Sequence, residues 1–271
     1  EGASHAMTRV GRALCLHELR ERTRDRWVLV ISPLFALLAS AVGLYGRSAE
    51  GDAAALTGPS LVTLASLFVP LVALALGYDA IVGERERNTL GLLLSLPVSR
   101  TEVVVAKFLG RGLALTIAVL VGLGAAMLAA ADGEARTLGT LIVPTLLLGL
   151  SFVAIGMLVS TVSSRQSVAT SFVVVIWFLL VFFYDLGLLG LLVATDGEVS
   201  QSVIAGLVVA NPAGLYRTAL LSALAGEGAL SELGLFTTLP GPAGIAAIWA
   251  AWIVGPVLLS AAILTRGRAF R

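Results

Sequence analysis

One charged stretch between two long apolar runs fixes most of what this chain can be. From Gly77 to Lys107 (GYDAIVGERERNTLGLLLSLPVSRTEVVVAK) the chain leaves one apolar run, crosses a charged segment and enters another. The charged part cannot sit in hydrocarbon, so it forms a loop on one side of a membrane. Composition points the same way. Hydrophobic residues make up 58% of the chain and charged residues 13%, and the apolar runs are too long for a soluble core. Within the loop, Asn88–Leu96 (NTLGLLLSL) predicts a short helix with an apolar ridge of Leu90, Leu93 and Leu94. Pro97 ends that helix, because it lacks an amide donor and clashes with the preceding turn. Ser99 and Glu102 stand three apart, the spacing of a capping box that opens the next helix. A short helix between two spans has little of its own chain to pack on. It reads either as a hairpin lying on the lipid surface or as a plug received by another protein's groove.

The order YDAIVGE, then TL-G-LLLSLP-SR, then KF-G-R resembles the permease subunits of the second exporter class of ATP-binding-cassette transporters. Within that class it is most similar to the NosY type, which accompanies nitrous oxide reductase maturation. The likeness runs on through Asn211–Pro212 and Tyr216–Arg217 to the last apolar run. It implies an all-α polytopic membrane fold with six transmembrane helices. An N-terminal amphipathic elbow helix, a cytoplasmic coupling helix and outer re-entrant helices between spans five and six complete the implied fold. The resemblance also implies a homodimer, each copy docked on a nucleotide-binding ATPase subunit that uses ATP and Mg. Coupling would pass through the Asn88–Leu96 helix, with Glu84, Arg85, Glu86 and Arg87 as polar rim contacts. Spans two and five would line the path.

Taken in order, residues 1–6 read as an expression scar ahead of Met7, and 7–271 as a single transmembrane permease domain with no cleavable signal. Thr8 to Arg26 is arginine-rich, with Val10, Leu14 and His17 or Glu18 at helical spacing, so an amphipathic helix at the membrane interface is expected. Spans are expected at about 27–45, 59–82, 101–130, 138–159, 168–194 and 243–265. Pro70 kinks the second, and Gly149, Ser151 and Gly156 give the fourth a small-residue face for close helix contact. Between spans five and six, Asn211 and Pro212 separate two short apolar helices, the second carrying Tyr216 and Arg217. The pair reads as a re-entrant hairpin or as two helices lying flat on the outer surface. Placing both termini inside leaves most Lys and Arg on the cytoplasmic side and about three outside, as the positive-inside rule requires. This localises the chain to a cell (plasma or inner) membrane.

No catalytic constellation is legible. Cys15 is the only cysteine, and the two histidines, His5 and His17, lie before the first span. A Gly-rich phosphate loop is absent, so ATP hydrolysis is expected in a separate partner, with no cofactor, metal or nucleic acid bound by this chain. Asp79, Lys107 and Arg111 lie near the loop. Lys107 is expected to snorkel, while Arg111 either snorkels or pairs with Asp79, since a charge at depth needs compensation. Asp185 interrupts span five and marks a substrate path, a bond to the re-entrant region or a neutral acid. Two further functions stay open beside transport. One is a non-transporting relay of force to an outer β-rich partner, docked at 195–202 and 226–240. The other is an intramembrane enzyme using Asp185, Asp79 and Tyr184, which their placement near opposite faces disfavours. A shared fold leaves the cargo unassigned.

Overall fold

The computed structural model describes residues 13–20, 57–95, 98–129, 134–220 and 240–266. The expected first span, Leu96 and most of 226–240 lie outside them. Every regular element among the described residues is a helix. Residues 13–20 form α1. Then come α2 (Thr57–Gly77), α3 (Val82–Glu86), α4 (Leu90–Ser95), α5 (Arg100–Ala129) and α6 (Glu134–Val162). A π-turn, Leu179–Phe183, joins α7 (Gln166–Phe178) to α8 (Tyr184–Ala194). The chain continues with α9 (Gln201–Ala210), α10 (Pro212–Leu220) and α11 (Pro242–Arg266). Five stretches are long and apolar enough to cross a bilayer: Val62–Glu86, Arg100–Ala125, Leu138–Val162, Gln166–Ala194 and Pro242–Arg266. The short pair α9–α10 is bent by 109°.

The core is built around α6, on which α2, α5, α7 and α11 all pack. Its Phe152, Val153, Ala154 and Met157 are fully buried. Small residues let α2 come close. A Cβ on Gly77 would stand 2.7 Å from the Val153 carbonyl oxygen and 2.9 Å from the Gly156 Cα, so the two backbones touch through a pair of glycines. Gly149 gives the same relief to the Leu115 side chain of α5. The expected small-residue face is therefore a packing seam on two sides.

Local chemistry moves two expected boundaries. Span two was expected to run to about Val82, and the apolar stretch does reach past it, but its continuous helix stops at Gly77 and a turn precedes α3. There the amides of Ile81 and Val82 donate to Ser160 Oγ at 2.9 and 3.0 Å, which satisfies them away from a continuous helix. The short helix starts at Leu90 rather than Asn88 because Asn88 holds a left-handed φ of 58°. Asparagine tolerates that conformation better than most residues. The capping box at the start of α5 forms in both directions: the Ser99 amide donates to Glu102 Oε2 at 2.8 Å, and the Glu102 amide donates to Ser99 Oγ at 3.1 Å.

Candidate functional site

At one end of the bundle, the α3–α4 hairpin sits on a network of buried charges. Lys107 Nζ on α5 lies 3.1 Å from Glu18 Oε2 on α1 and 3.0 Å from Glu84 Oε1 on α3. One turn further along α5, Arg111 lies 2.7 Å from Glu18 and 2.6 Å from Asp79 Oδ1, and it donates to the Leu76 carbonyl. Arg87 stands 3.9 Å from the other Asp79 oxygen. Positive and negative groups alternate, so each charge taken from water meets its opposite. Lys107 does not snorkel. It is buried, and the two carboxylates, one from α1 and one from the hairpin, supply the compensation. Arg111 takes its expected pairing with Asp79. Glu84 also accepts from the Thr89 hydroxyl, which ties α3 to the start of α4.

Glu18 is the member that sequence reading missed. In α1, Leu16 and His17 face outward while Glu18 turns inward and is buried. A Cβ on Gly110 would lie 2.7 Å from the Glu18 Cβ and 2.9 Å from the Cys15 carbonyl oxygen, so that glycine lets α1 lie against α5. Partial burial and the Glu18 carboxylate push the Cys15 thiol above its ordinary pKa. The sequence set one acid, Asp79, beside two cations, Lys107 and Arg111, a shortfall that did not say that α1 and α3 supplied the other carboxylates.

On its other side the hairpin holds the α6–α7 turn. Arg85 donates to the carbonyls of Ser163 at 2.7 Å and Thr161 at 3.5 Å, at the end of α6. Glu86 accepts from the Gln166 amide at 2.7 Å, at the start of α7. A cation on a helix C-terminus and an anion on an N-terminus both match the helix dipole. Of the expected ridge, Leu90 packs on the core and Leu93 is half-buried, while the Leu94 side chain lies outside the described residues. Leu92, which the ridge left out, is 72% exposed. A cleft of about 590 Å³ opens between α1 and α4, with Leu14, Glu18, Leu92, Leu93, Val103 and Lys107 in its walls.

Towards the opposite end, Asp185 on α8 is held by both terminal nitrogens of Arg217 on α10, at 2.6 and 2.9 Å. The two expectations, an acid interrupting span five and an arginine in the bent pair, describe one ion pair. Asn211 stands at the bend itself. Its side chain donates to the Leu180 carbonyl at 2.6 Å, inside the π-turn, and accepts from the Ala213 amide at 3.2 Å, capping α10. Tyr216 is fully buried, its hydroxyl 3.2 Å from that of Thr145. Pro212 opens α10, where its missing amide costs nothing. Asp79 and Asp185 are held in separate clusters with different cations.

The structure is a membrane bundle with a braced hairpin at one end and a bent helix pair towards the other, and comparison with known proteins gives its class. Residues 12–268 match the family described as ABC-2 family transporter protein, and the chain belongs to that family. It is a multi-pass ABC transporter permease chain of the NosY-like kind. A protein of Stutzerimonas stutzeri described as probable ABC transporter permease protein NosY is 39% identical over 265 residues, covering 92% of this chain and 95% of that protein. A protein of the same description from Pseudomonas aeruginosa is 39% identical over 246 residues, covering 86% and 89%.

Proposed function

We propose that this chain is the membrane half of an ATP-driven transporter whose ATPase is a separate subunit. Two copies of the chain each dock one ATPase through the α3–α4 hairpin, and ATP with Mg is used by that partner. Leu92 carries the reading: a large apolar side chain 72% exposed on a short helix, beside a hairpin braced by buried charges. The docking face comprises Arg87, Asn88, Leu92 and Leu93; the Leu94 side chain and Leu96, expected in the same contact from the sequence, lie outside what the structure describes. Glu84, Arg85, Glu86 and Leu90 face the chain's own elements and hold that face in place. Both termini and the hairpin lie on the cytoplasmic side of the cell membrane, which the distribution of Lys and Arg favours. The likeness to NosY extends the proposal to delivery for the maturation of a copper enzyme, nitrous oxide reductase, with an outer β-rich protein as a further partner.

The test is recovery of the tagged chain from native membranes in mild detergent, with mass spectrometry of what accompanies it. One ATPase is expected with the parent chain, and an outer β-rich protein where the maturation role holds. Leu92→Asp places a charge in the docking contact and should reduce ATPase recovery by about tenfold or more, the equivalent of a central apolar contact. A chain that comes up alone in several detergents, or a Leu92→Asp variant that retains the ATPase in full, overturns the docking assignment.

A further inference from the structure

The hairpin grips two bodies of very different firmness. Towards α1, α2 and α5 it is fastened by the buried charges of Glu18, Asp79, Glu84, Lys107 and Arg111. Towards α7 it is fastened by Arg85 on the last carbonyls of α6 and by Glu86 on the first amide of α7. Beyond that turn, the α7–α8 span is little buried by the rest of its own chain. Within the chain, only 11% of an 18-residue stretch of it is buried, against 72% for the span that contains α2. Trp177 donates to the Leu67 carbonyl of α2 at 3.0 Å, midway along the span. The π-turn Leu179–Phe183 follows at once, and there the regular helical ladder is broken.

From the π-turn onward, the span is fastened to the α9–α10 pair, which is itself seated on α6 through Tyr216 and Thr145. Asn211 holds the Leu180 carbonyl, Tyr184 donates to the Leu207 carbonyl at 2.6 Å, and Arg217 pairs with Asp185. One span is therefore gripped at its start by the hairpin, contacts α2 near its middle, and is bonded to α9 and α10 along its far half. A helix held in this way swings about its middle contact when its gripped end is displaced.

Building on the coupling function proposed above, we propose that Arg85 and Glu86 are positioning residues through which displacement of the hairpin turns the α7–α8 span. Trp177 serves as the pivot and the π-turn as the yielding segment. They act through the α6–α7 turn and touch no cargo. The geometry gives each a separate part. Arg85 holds the end of α6, and Glu86 supplies the hairpin's bond to the start of α7, beside the one that the Gln166 side chain donates to the Tyr78 hydroxyl at 3.1 Å.

The test uses the complex of this chain with its ATPase in lipid nanodiscs. Cys15 is the only cysteine, so Cys15→Ser with Val193→Cys places one spin label per copy at the far end of the span, where Val193 is exposed. The distance between the labels of two copies is measured by pulsed electron resonance, without nucleotide and after trapping with ATP, Mg and vanadate. Only complexes that trap nucleotide are compared. The parent should show a shift on trapping. Arg85→Ala with Glu86→Ala should lose about half of it or more, and Glu86→Ala alone part of it. Glu86→Gln, which keeps the acceptor oxygen, should restore the shift. A helix merely destabilised by the substitutions would broaden the distances in both states without abolishing their difference.

An undiminished shift in the double variant, or no shift in the parent, overturns the inference and leaves the coupling function standing. A double variant that loses the ATPase or traps no nucleotide also overturns it, because it makes the two residues docking groups. A parent chain that recovers no ATPase defeats the underlying function, and with it this inference.

Discussion

Arg111 and Lys107 stand one helical turn apart on α5, and the difference between them is a matter of neighbours. Arg111 is 1% exposed and serves Glu18, Asp79 and the Leu76 carbonyl together. Lys107 serves Glu18 and Glu84, and Glu84 keeps the Thr89 hydroxyl and remains partly exposed. Removing one partner of a buried pair leaves the other charge stranded, at a cost of about 3–5 kcal/mol. Arg111→Met should therefore fall at or above that range, while Lys107→Met should cost less, because Glu84 can still reach water and Glu18 keeps Arg111. Thermal unfolding in detergent measures both. Equal losses, or a larger loss for Lys107→Met, would mean that the charges are not shared in this way.

At the scale of elements, the α2–α6 crossing sets the bundle. Gly77 and Gly156 meet backbone to backbone, and the atoms nearest an added Cβ on Gly77 are the Val153 carbonyl oxygen, the Gly156 Cα and the Met157 amide nitrogen. None of these is the end of a flexible side chain, so a methyl group can enter only by pushing two helices apart. Gly77→Ala should lower stability by about 1–3 kcal/mol, the usual range for overpacking. Gly91, whose Cβ would meet nothing within 4 Å, serves as the control: Gly91→Ala should be neutral or slightly stabilising. A melt of the two variants side by side decides it. The capping box and the helix periods were legible in the sequence because their partners lie within four residues. The turn after α2 was not, since its amides are satisfied by Ser160, more than seventy residues away.

For the molecule as a whole, the outstanding surface is the long face of α7 and α8, where Phe172, Val175, Phe178, Leu179, Phe183 and Val193 are exposed. The Asp185–Arg217 pair shares this span and remains partly exposed, with side chains 40% and 31% accessible. A half-open ion pair is costly against lipid, and a second copy of the chain is the cover proposed for it. In a Cys15→Ser background, Phe183→Cys should give a disulfide-linked dimer in native membranes on oxidation with copper phenanthroline. Leu113→Cys, on the exposed side of α5, should stay monomeric. The reverse pattern would move the dimer face to α5.

The class was legible from the residues alone: apolar length required membrane spans, one charged break required a loop, and the YDAIVGE and LLLSLP motifs pointed to the family. These properties depend on residues adjacent in the chain or on composition, so they are readable without coordinates. Partnership was decided only by the tertiary structure. Glu18 joined Lys107 and Arg111 from a helix some ninety residues earlier, and Asp185 found Arg217 across the bent pair. Leu92 emerged as the outward side chain because α3 and α5 fix how α4 sits. A charge in an apolar bundle demands compensation, and the sequence states that demand. Which residue answers it depends on where the helices cross, and that is set by packing between distant glycines and side chains.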